Sequence, residues 1–185
     1  MYVLCNKMVK SGKKWVKMVG NGKIFFMFAI KKKRTKAIMT FFAGEYESKL
    51  DAKGRLVLPS KIKANLPEES ATDLVIGRSF DRCLFLYSTV EFNKIYARIA
   101  GLSGFNEENR RLQRTFFMGI SNVELDANGR FLIPKSLLKY AELEKEIVLV
   151  GMGNHVEIWN PEHYQNNLIN DSEEFNAMAK EKLDE

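Results

Sequence analysis

The chain has 185 residues, 45% of them hydrophobic, and a formal net charge of +6. This composition is ordinary for a folded globular protein, and the length allows one compact domain or two small ones. The apolar run at residues 24–30 (IFFMFAI) is too short to cross a bilayer, which takes about 20 apolar residues, so we expect no membrane partner. Cys5 and Cys83 lie far apart without a CxxC motif, which excludes a disulfide framework and a cysteine zinc site.

The basic residues are concentrated at the start of the chain. Residues 1–38 contain eleven Lys or Arg and no acid, so the remainder holds 18 basic and 23 acidic residues, a net charge of −5. The run KKKRTK at residues 31–36 is typical of a disordered arm that grips phosphates, but it also suits a mere appendage. Because Met39 offers a second start, we expect residues 1–38 to be a disordered basic leader or a wrongly assigned start.

The first regular elements follow the leader. Residues 46–50 alternate in polarity and predict a strand, residues 51–54 supply a turn, and residues 55–58 predict a second strand. Together they predict a hairpin whose tip is DAKG, with Gly54 free to take the positive φ that a tight turn needs. Pro59 suits the start of a short helix at residues 61–66, and residues 74–76 and 83–87 read as apolar strands.

Two capped helices connect this region to the next. Ser88 and Glu91 form a capping box ahead of a helix, and Asn106 suits the N-cap of a helix over residues 106–118. The tail from Asp171 predicts one more helix.

The segment LDAKGRLVLP at residues 50–59 recurs 75 residues later as LDANGRFLIP, with six of ten positions identical. Strands at residues 123–125 and 131–133 flank the second turn, a short helix follows Pro134, and strands at 147–150 and 156–159 precede a helix capped by Asn160. The sequence therefore predicts a repeat of about 45 residues with the order strand-turn-strand-helix-strand-strand-helix. A unit this small makes a poor core alone, so the copies should pack about a pseudo-two-fold axis.

The predicted segments are the leader 1–38, the first repeat 45–92, linking helices 93–120, the second repeat 121–164 and a C-terminal helix 165–185. No catalytic motif is present: there is no metal-ligand cluster, no GxSxG and no phosphate-cradling glycine loop. His155 and His163 follow turn residues and are more typical of surface or capping positions than of catalysts. We expect no enzyme, no cofactor and no metal.

Each copy places an arginine four residues after an aspartate at its tip: Asp51 with Arg55, and Asp126 with Arg130. An arginine at the tip of a β-ribbon can reach the O6 and N7 acceptors of guanine in the major groove, and Lys53 could serve a phosphate. The alternative is that each aspartate pairs with its arginine and caps the turn, which the spacing alone slightly favours. Both hold if the aspartate keeps the arginine extended.

The chain from Phe42 onward resembles the MraZ family, bacterial transcriptional regulators of the division and cell-wall gene cluster with a SpoVT-AbrB fold. The resemblance rests on AGEYESKLDAKGRLVLPSKIK, RCLFLYSTVEF, the segment from RRLQRTFF to GNHVEIW and an acidic C-terminal helix. It implies an α+β fold: a duplicated swapped-hairpin (AbrB-type) β-barrel with pseudo-two-fold symmetry and flanking helices.

The resemblance also implies a sequence-specific regulator that reads G-rich direct-repeat boxes in double-stranded DNA as a ring-shaped homo-oligomer in the cytoplasm, at the nucleoid. Carried over by position, the DNA-binding residues are Arg55, Arg130, Lys53 and Asn128, and the supporting residues are Asp51, Asp126, Gly54 and Gly129. Because Asn128 stands where the first copy has Lys53, the second tip should grip phosphate less strongly. The alternative function is a ring-forming scaffold for partner proteins in which the D-x-x-x-R turns are only structural.

Overall fold

The computed structural model describes residues 3–10, 13–20, 23–28, 41–67 and 72–183. The chain divides into two compact units, Met1–Ile38 and Met39–Glu185. The first unit coincides with the basic leader, and the second contains both copies of the repeat.

The leader unit contains three strands rather than the disordered arm expected from its charge. They are β1 (Val3–Lys10), β2 (Lys13–Gly20) and β3 (Lys23–Phe28). They form an antiparallel sheet in the order β1-β2-β3. These segments form strands because the residues between the lysines include Val, Ile, Phe and Trp, which favour β-structure. The dipeptides Ser11-Gly12 and Asn21-Gly22, which separate the strands in the sequence, are typical of two-residue hairpin turns.

The second unit is built from strands and helices, which confirms the α+β class. Its strands are β4 (Phe42–Lys49), β5 (Arg55–Val57), β6 (Asp73–Arg78), β7 (Leu84–Ser88), β8 (Ser121–Glu124), β9 (Arg130–Leu132), β10 (Glu146–Gly153) and β11 (Val156–Trp159). Its helices are α1 (Ser60–Ala64), α2 (Thr89–Ala100), α3 (Glu107–Phe117), α4 (Lys135–Tyr140), α5 (Pro161–Asn166) and α6 (Ser172–Leu183). Apart from α3 and α6, the elements occur twice in the same order: first β4, β5, α1, β6, β7 and α2, and then β8, β9, α4, β10, β11 and α5.

The predicted helix caps are confirmed. The Ser88 hydroxyl accepts a hydrogen bond from the backbone N–H of Glu91 at the start of α2. The Asn106 side chain caps α3, and the Asn160 side chain caps α5 by accepting from the N–H groups of the first turn. These caps satisfy backbone donors that have no partner within the helix.

The two copies exchange strands. Strand β4 of the first copy pairs with β10 of the second, with Lys49 opposite Glu146, and β8 of the second copy pairs with β6 of the first, with Glu124 opposite Asp73. These are corresponding positions, so the pairing is the same when the copies are interchanged. The predicted local hairpin of residues 46–50 and 55–58 is wrong in this respect, since only one isolated bridge, between Leu50 and Leu56, joins its strands. Strands β4 and β8 instead form longer ladders with strands of the other copy.

Strands β5 and β9 form a ribbon of their own, and the other six strands lie in the order β4-β10-β11-β7-β6-β8. Within the described part of the chain this is an open sheet with β4 and β8 at its edges, not the closed barrel that was expected. The sheet does not close because sharp turns connect β4 to β5 and β8 to β9, and regular ladder pairing between these strands stops at the turns.

The main core lies beneath the β5–β9 ribbon. Leu56 and Phe131, which face each other across the ribbon, are fully buried together with Leu137 of α4. A second cluster joins the other face of the sheet to α2 and α3 through Phe92 and Phe116, whose rings stack 6.5 Å apart. These clusters fix the ribbon to the sheet and to the short helices on either side of it.

Cys83 is fully buried in a third cluster with Val148, Trp159 and Tyr164. Burial raises the pKa of its thiol to about 12, so the cysteine behaves as a small buried hydrophobe. Among the helices of the described segments, none has the length and apolar character that spanning a bilayer requires.

Candidate nucleic-acid interface

The first turn, residues 51–55, is organised by the carboxylate of Asp51. Its Oδ1 accepts hydrogen bonds from the backbone N–H groups of Lys53 and Arg55, both at 2.9 Å. Its Oδ2 accepts from Nε of the Arg55 guanidinium at 2.7 Å. The backbone N–H of Gly54 donates to the Asp51 carbonyl at 2.9 Å and closes the turn. One side chain therefore holds both the turn and the arginine.

The second turn, residues 126–130, repeats this arrangement. Asp126 Oδ1 accepts from the N–H groups of Asn128 at 2.8 Å and Arg130 at 2.9 Å, and Oδ2 accepts from Arg130 Nε at 2.8 Å. Gly129 N–H donates to the Asp126 carbonyl at 2.8 Å. The alternative derived from the sequence, in which each aspartate pairs with its arginine and caps the turn, is confirmed in both copies.

The glycines in these turns are required by the backbone. Gly54 has φ +79° and Gly129 has φ +71°, in the left-handed region that side chains with a Cβ rarely adopt. This conformation directs the next N–H back to the aspartate. The supporting roles predicted for Gly54 and Gly129 therefore have a geometric basis.

The hydrogen bonds also set the charge of the turns. The backbone N–H of Arg55, followed by its guanidinium and the Lys53 N–H, lowers the pKa of Asp51 from 3.8 to about 2 against an opposing effect of desolvation. The corresponding donors of Arg130 and Asn128 lower the pKa of Asp126. Both carboxylates are therefore ionised at neutral pH and hold their arginines through charge-assisted bonds.

The arginines are brought together by the ribbon that β5 and β9 form, here called the inter-repeat ribbon. Its register pairs Arg55 with Leu132, Leu56 with Phe131 and Val57 with Arg130. Since neighbouring residues of a strand point to opposite faces, both arginines share one face with Val57 and Leu132. That face is open, because Val57 is 47% and Leu132 56% exposed, whereas the residues between them are buried.

The two arginines are diagonal neighbours on this face. Side chains in this relation lie about 7–8 Å apart at their Cα atoms in an antiparallel ribbon. Arg55 and Arg130 are each about one third exposed and bind their aspartates through Nε. Within the described residues, neither guanidinium has another protein hydrogen-bond partner, so its outer Nη edge is available to a ligand.

The remaining candidate residues lie at the ends of the turns. Lys53 and Asn128 are both exposed, and each contributes only its backbone N–H to the aspartate. Sequence reasoning did not single out Lys63 of α1, whose side chain lies over Gly129 of the second turn. The alignment of the two copies pairs Lys63 with Leu138 of α4, which lies over Gly54 of the first turn, but nothing in the sequence indicates that either side chain reaches a turn.

The histidines lie away from these turns. His155 stacks on Tyr87 at 4.6 Å, and His163 Nε2 lies 3.3 Å from a carboxylate oxygen of Glu142. Across the described ranges, no group of three His, Cys, Asp or Glu side chains is placed to hold a metal ion.

Comparison with known proteins places this arrangement in context. A family model described as "MraZ protein, putative antitoxin-like" matches the chain twice, over residues 41–115 and 116–185, which confirms the internal repeat. A protein named Transcriptional regulator MraZ from Cytophaga hutchinsonii is 56% identical over 145 residues, 78% of this chain and 96% of that protein. A protein of the same name from Christiangramia forsetii is 44% identical over 141 residues, 76% of this chain and 91% of its own length.

Proposed function

This chain belongs to the MraZ family, and from that premise we propose that it is a sequence-specific DNA-binding transcriptional regulator. Both relatives are named as transcriptional regulators. The observation that carries the proposal is the pair of arginines on the open face of the inter-repeat ribbon, each held by an ionised aspartate. A two-stranded ribbon fits the major groove of B-DNA, which is about 12 Å wide.

Arg55 and Arg130 read guanines in this proposal. Each guanidinium keeps its Nε on the aspartate and presents its Nη edge to O6 and N7 of a guanine. Their separation of about 7–8 Å matches roughly two base-pair steps of 3.4 Å, so the two side chains can reach different bases of one site. The exposed Val57 and Leu132 between them are suited to apolar contacts, such as the methyl group of thymine.

The rest of the turns position the ribbon. Lys53 is placed to contact a phosphate and Asn128 to donate a hydrogen bond to the backbone, while Asp51, Asp126, Gly54 and Gly129 keep the turns in shape. We infer that the exchange of strands between the copies is the swapped-hairpin arrangement of the SpoVT-AbrB type. The exchange places two equivalent turns on one small unit.

Assembly into a ring is part of the same proposal. Several large apolar side chains are exposed on the second unit: Phe80, Phe105, Phe175, Met178 and Leu183. Helix α6 has no buried residue, and its exposed Phe175, Met178 and Leu183 are suited to association with further copies. A ring would present many ribbons to successive G-rich boxes upstream of the division and cell-wall genes, and effective concentration would strengthen weak single contacts. Such a regulator works in the cytoplasm, at the nucleoid.

A second candidate function is favoured by one specific observation, the Asp–Arg pairs themselves. Because each arginine binds its own aspartate, the D-x-x-x-R turns could serve the fold alone, in a ring-forming scaffold for partner proteins. The two candidates differ in what an arginine substitution changes: DNA discrimination in the first, and only stability in the second.

The test compares Arg55→Ala and Arg130→Ala with wild type and with Arg82→Ala as a matched control. Arg82 pairs with Glu142 away from the turns, so its loss removes the same charge and a surface ion pair. Affinity is measured on the chain's own upstream duplex and on a shuffled duplex. Each turn variant should lose about 5- to 150-fold on the first duplex only, the equivalent of about 1–3 kcal/mol per arginine–guanine pair. If both variants keep wild-type discrimination and are merely less stable, the scaffold is the better account.

A further inference from the structure

We propose that Lys63 supplies the phosphate contact of the second turn, the role that Lys53 has in the first. This inference rests on the proposed function and extends it to a residue outside both turns. If Lys63 has this role, the second turn need not bind phosphate less strongly than the first. Each turn then has one lysine, Lys53 from the first turn itself and Lys63 from helix α1.

The contact is visible at Gly129. A Cβ atom added there would lie 3.4 Å from Nζ of Lys63, 3.6 Å from Cδ and 4.0 Å from Cε. The aliphatic stem of Lys63 therefore runs along the second turn, and its exposed ammonium group lies beside the turn. Lysine commonly packs its stem in this way and keeps the charged end accessible.

The first turn has a different neighbour at the same place. There, a Cβ on Gly54 would lie 3.2 Å from Cδ1 of Leu138, which occupies in α4 the position that Lys63 occupies in α1. In the first turn, the lysine (Lys53) lies in the turn and a leucine (Leu138) packs on the glycine. In the second turn, the turn residue is Asn128 and the lysine (Lys63) packs on the glycine. Each turn therefore has one lysine, but at a different one of the two positions.

The ammonium group of Lys63 has no acidic partner in the described part of the chain. Lys49 and Lys94, by contrast, form ion pairs with Glu146 and Glu91. Asp126, the carboxylate of the second turn, already accepts three hydrogen bonds from Asn128 and Arg130. An exposed ammonium with three donors and no acidic partner among the described residues is suited to a phosphate oxygen.

A phosphate contact has a measurable signature that differs from base reading. Each phosphate neutralised by a lysine contributes about −0.9 to the slope of log K against log salt concentration, whatever the base sequence. Loss of Lys63 should therefore flatten this slope by about 0.9 per contacting chain and weaken binding equally on specific and shuffled duplexes.

The experiment uses the full chain with four variants. Lys63→Leu copies the residue of the first turn, and Lys63→Gln keeps most of the stem while removing the charge. Lys53→Leu serves as the comparator, and Lys61→Leu is the matched control. Lys61 lies two residues earlier on the same helix, about 200° round its axis and so on the opposite side. Thermal unfolding and oligomer mass are recorded for every variant.

We expect both Lys63 variants to flatten the salt slope as much as Lys53→Leu does, with the ratio of specific to shuffled affinity unchanged and Lys61→Leu like wild type. Slopes for both Lys63 variants that match Lys61→Leu would overturn the inference; if Arg55→Ala still lowers discrimination between the duplexes, the proposed function stands. A wild-type protein that does not discriminate between the duplexes would overturn the proposed function and this inference together.

Discussion

The two turns of the inter-repeat ribbon are identical at four of their five positions and differ at one, and a different side chain packs against the glycine of each turn. Asp, Gly and Arg occupy the same places in both, with hydrogen bonds that match to within 0.1 Å. The first turn combines Lys53 with Leu138, and the second combines Asn128 with Lys63. The shared Asp, Gly and Arg are required by the backbone conformation and by the position of the guanidinium. The proposed phosphate contact, by contrast, requires only that a lysine lies near the turn.

The same difference should appear in stability when a methyl group is added at each turn. Gly54→Ala and Gly129→Ala both force a Cβ into the left-handed region, which costs about 1–3 kcal/mol in the free energy of unfolding. Gly54→Ala should cost more, because its new Cβ meets Leu138, which packs against the core, whereas Gly129→Ala meets the flexible end of Lys63. Denaturant unfolding of both variants measures the difference.

A wild-type free energy of unfolding in both glycine variants would show that the positive φ values are not required. A larger loss for Gly129→Ala would mean that Lys63 is held more firmly than Leu138. The double variant Gly129→Ala/Lys63→Ala is the control, since it removes the side-chain contact and leaves only the backbone strain.

A smaller effect is expected from pH, because both aspartates are partly exposed and screened. Their folded pKa values are lowered, so the carboxylates stabilise the turns fully above the ordinary value of 3.8. This stabilisation is lost as the pH falls below that value, towards about 2 for Asp51. Asp51→Asn keeps an oxygen for the two N–H donors but has no charge. Wild type should therefore be more stable than Asp51→Asn at neutral pH, and the gap should narrow from pH 4 downwards.

Thermal unfolding of wild type, Asp51→Asn and Asp126→Asn between pH 2 and 7 follows this gap. Both variants should show the same direction, since both turns use the same donors. A gap that stays constant over this range would mean that the charge of the carboxylates contributes nothing to the turns.

The turns themselves were predictable from the sequence. The repeated Asp, Gly and Arg at fixed spacing indicated an aspartate-capped turn with a left-handed glycine, and the hydrogen bonds of Asp51 and Asp126 confirm it. The helix caps at Ser88 and Asn160 were predictable for the same reason, because a cap is decided by residues within one turn of the helix. Both features depend on interactions between residues that are close together in the sequence.

The pairing of strands was not predictable in this way. Residues 46–50 can pair with the next strand or with the other copy, and only the packed unit favours β10, which offers eight paired positions to β4. The contact of Lys63 with Gly129 depends on the same exchange, because it joins residues of different copies. Charge alone points to a different part of the chain: the leader holds eleven basic residues, whereas the arginine pair lies on a body with a net charge of −5.

We propose that Arg55 and Arg130 bind the N7 and O6 edge of guanine, and replacing guanine with 7-deazaguanine tests this binding most directly. The affinity of wild type and of the Arg55→Ala/Arg130→Ala double variant is measured on the upstream duplex made with guanine or with 7-deazaguanine, which lacks the N7 acceptor. Wild type should bind the modified duplex about fivefold or more weakly, and the residual affinity of the double variant should not change. A wild-type affinity that is unaffected, or an equal loss in the double variant, would contradict the account.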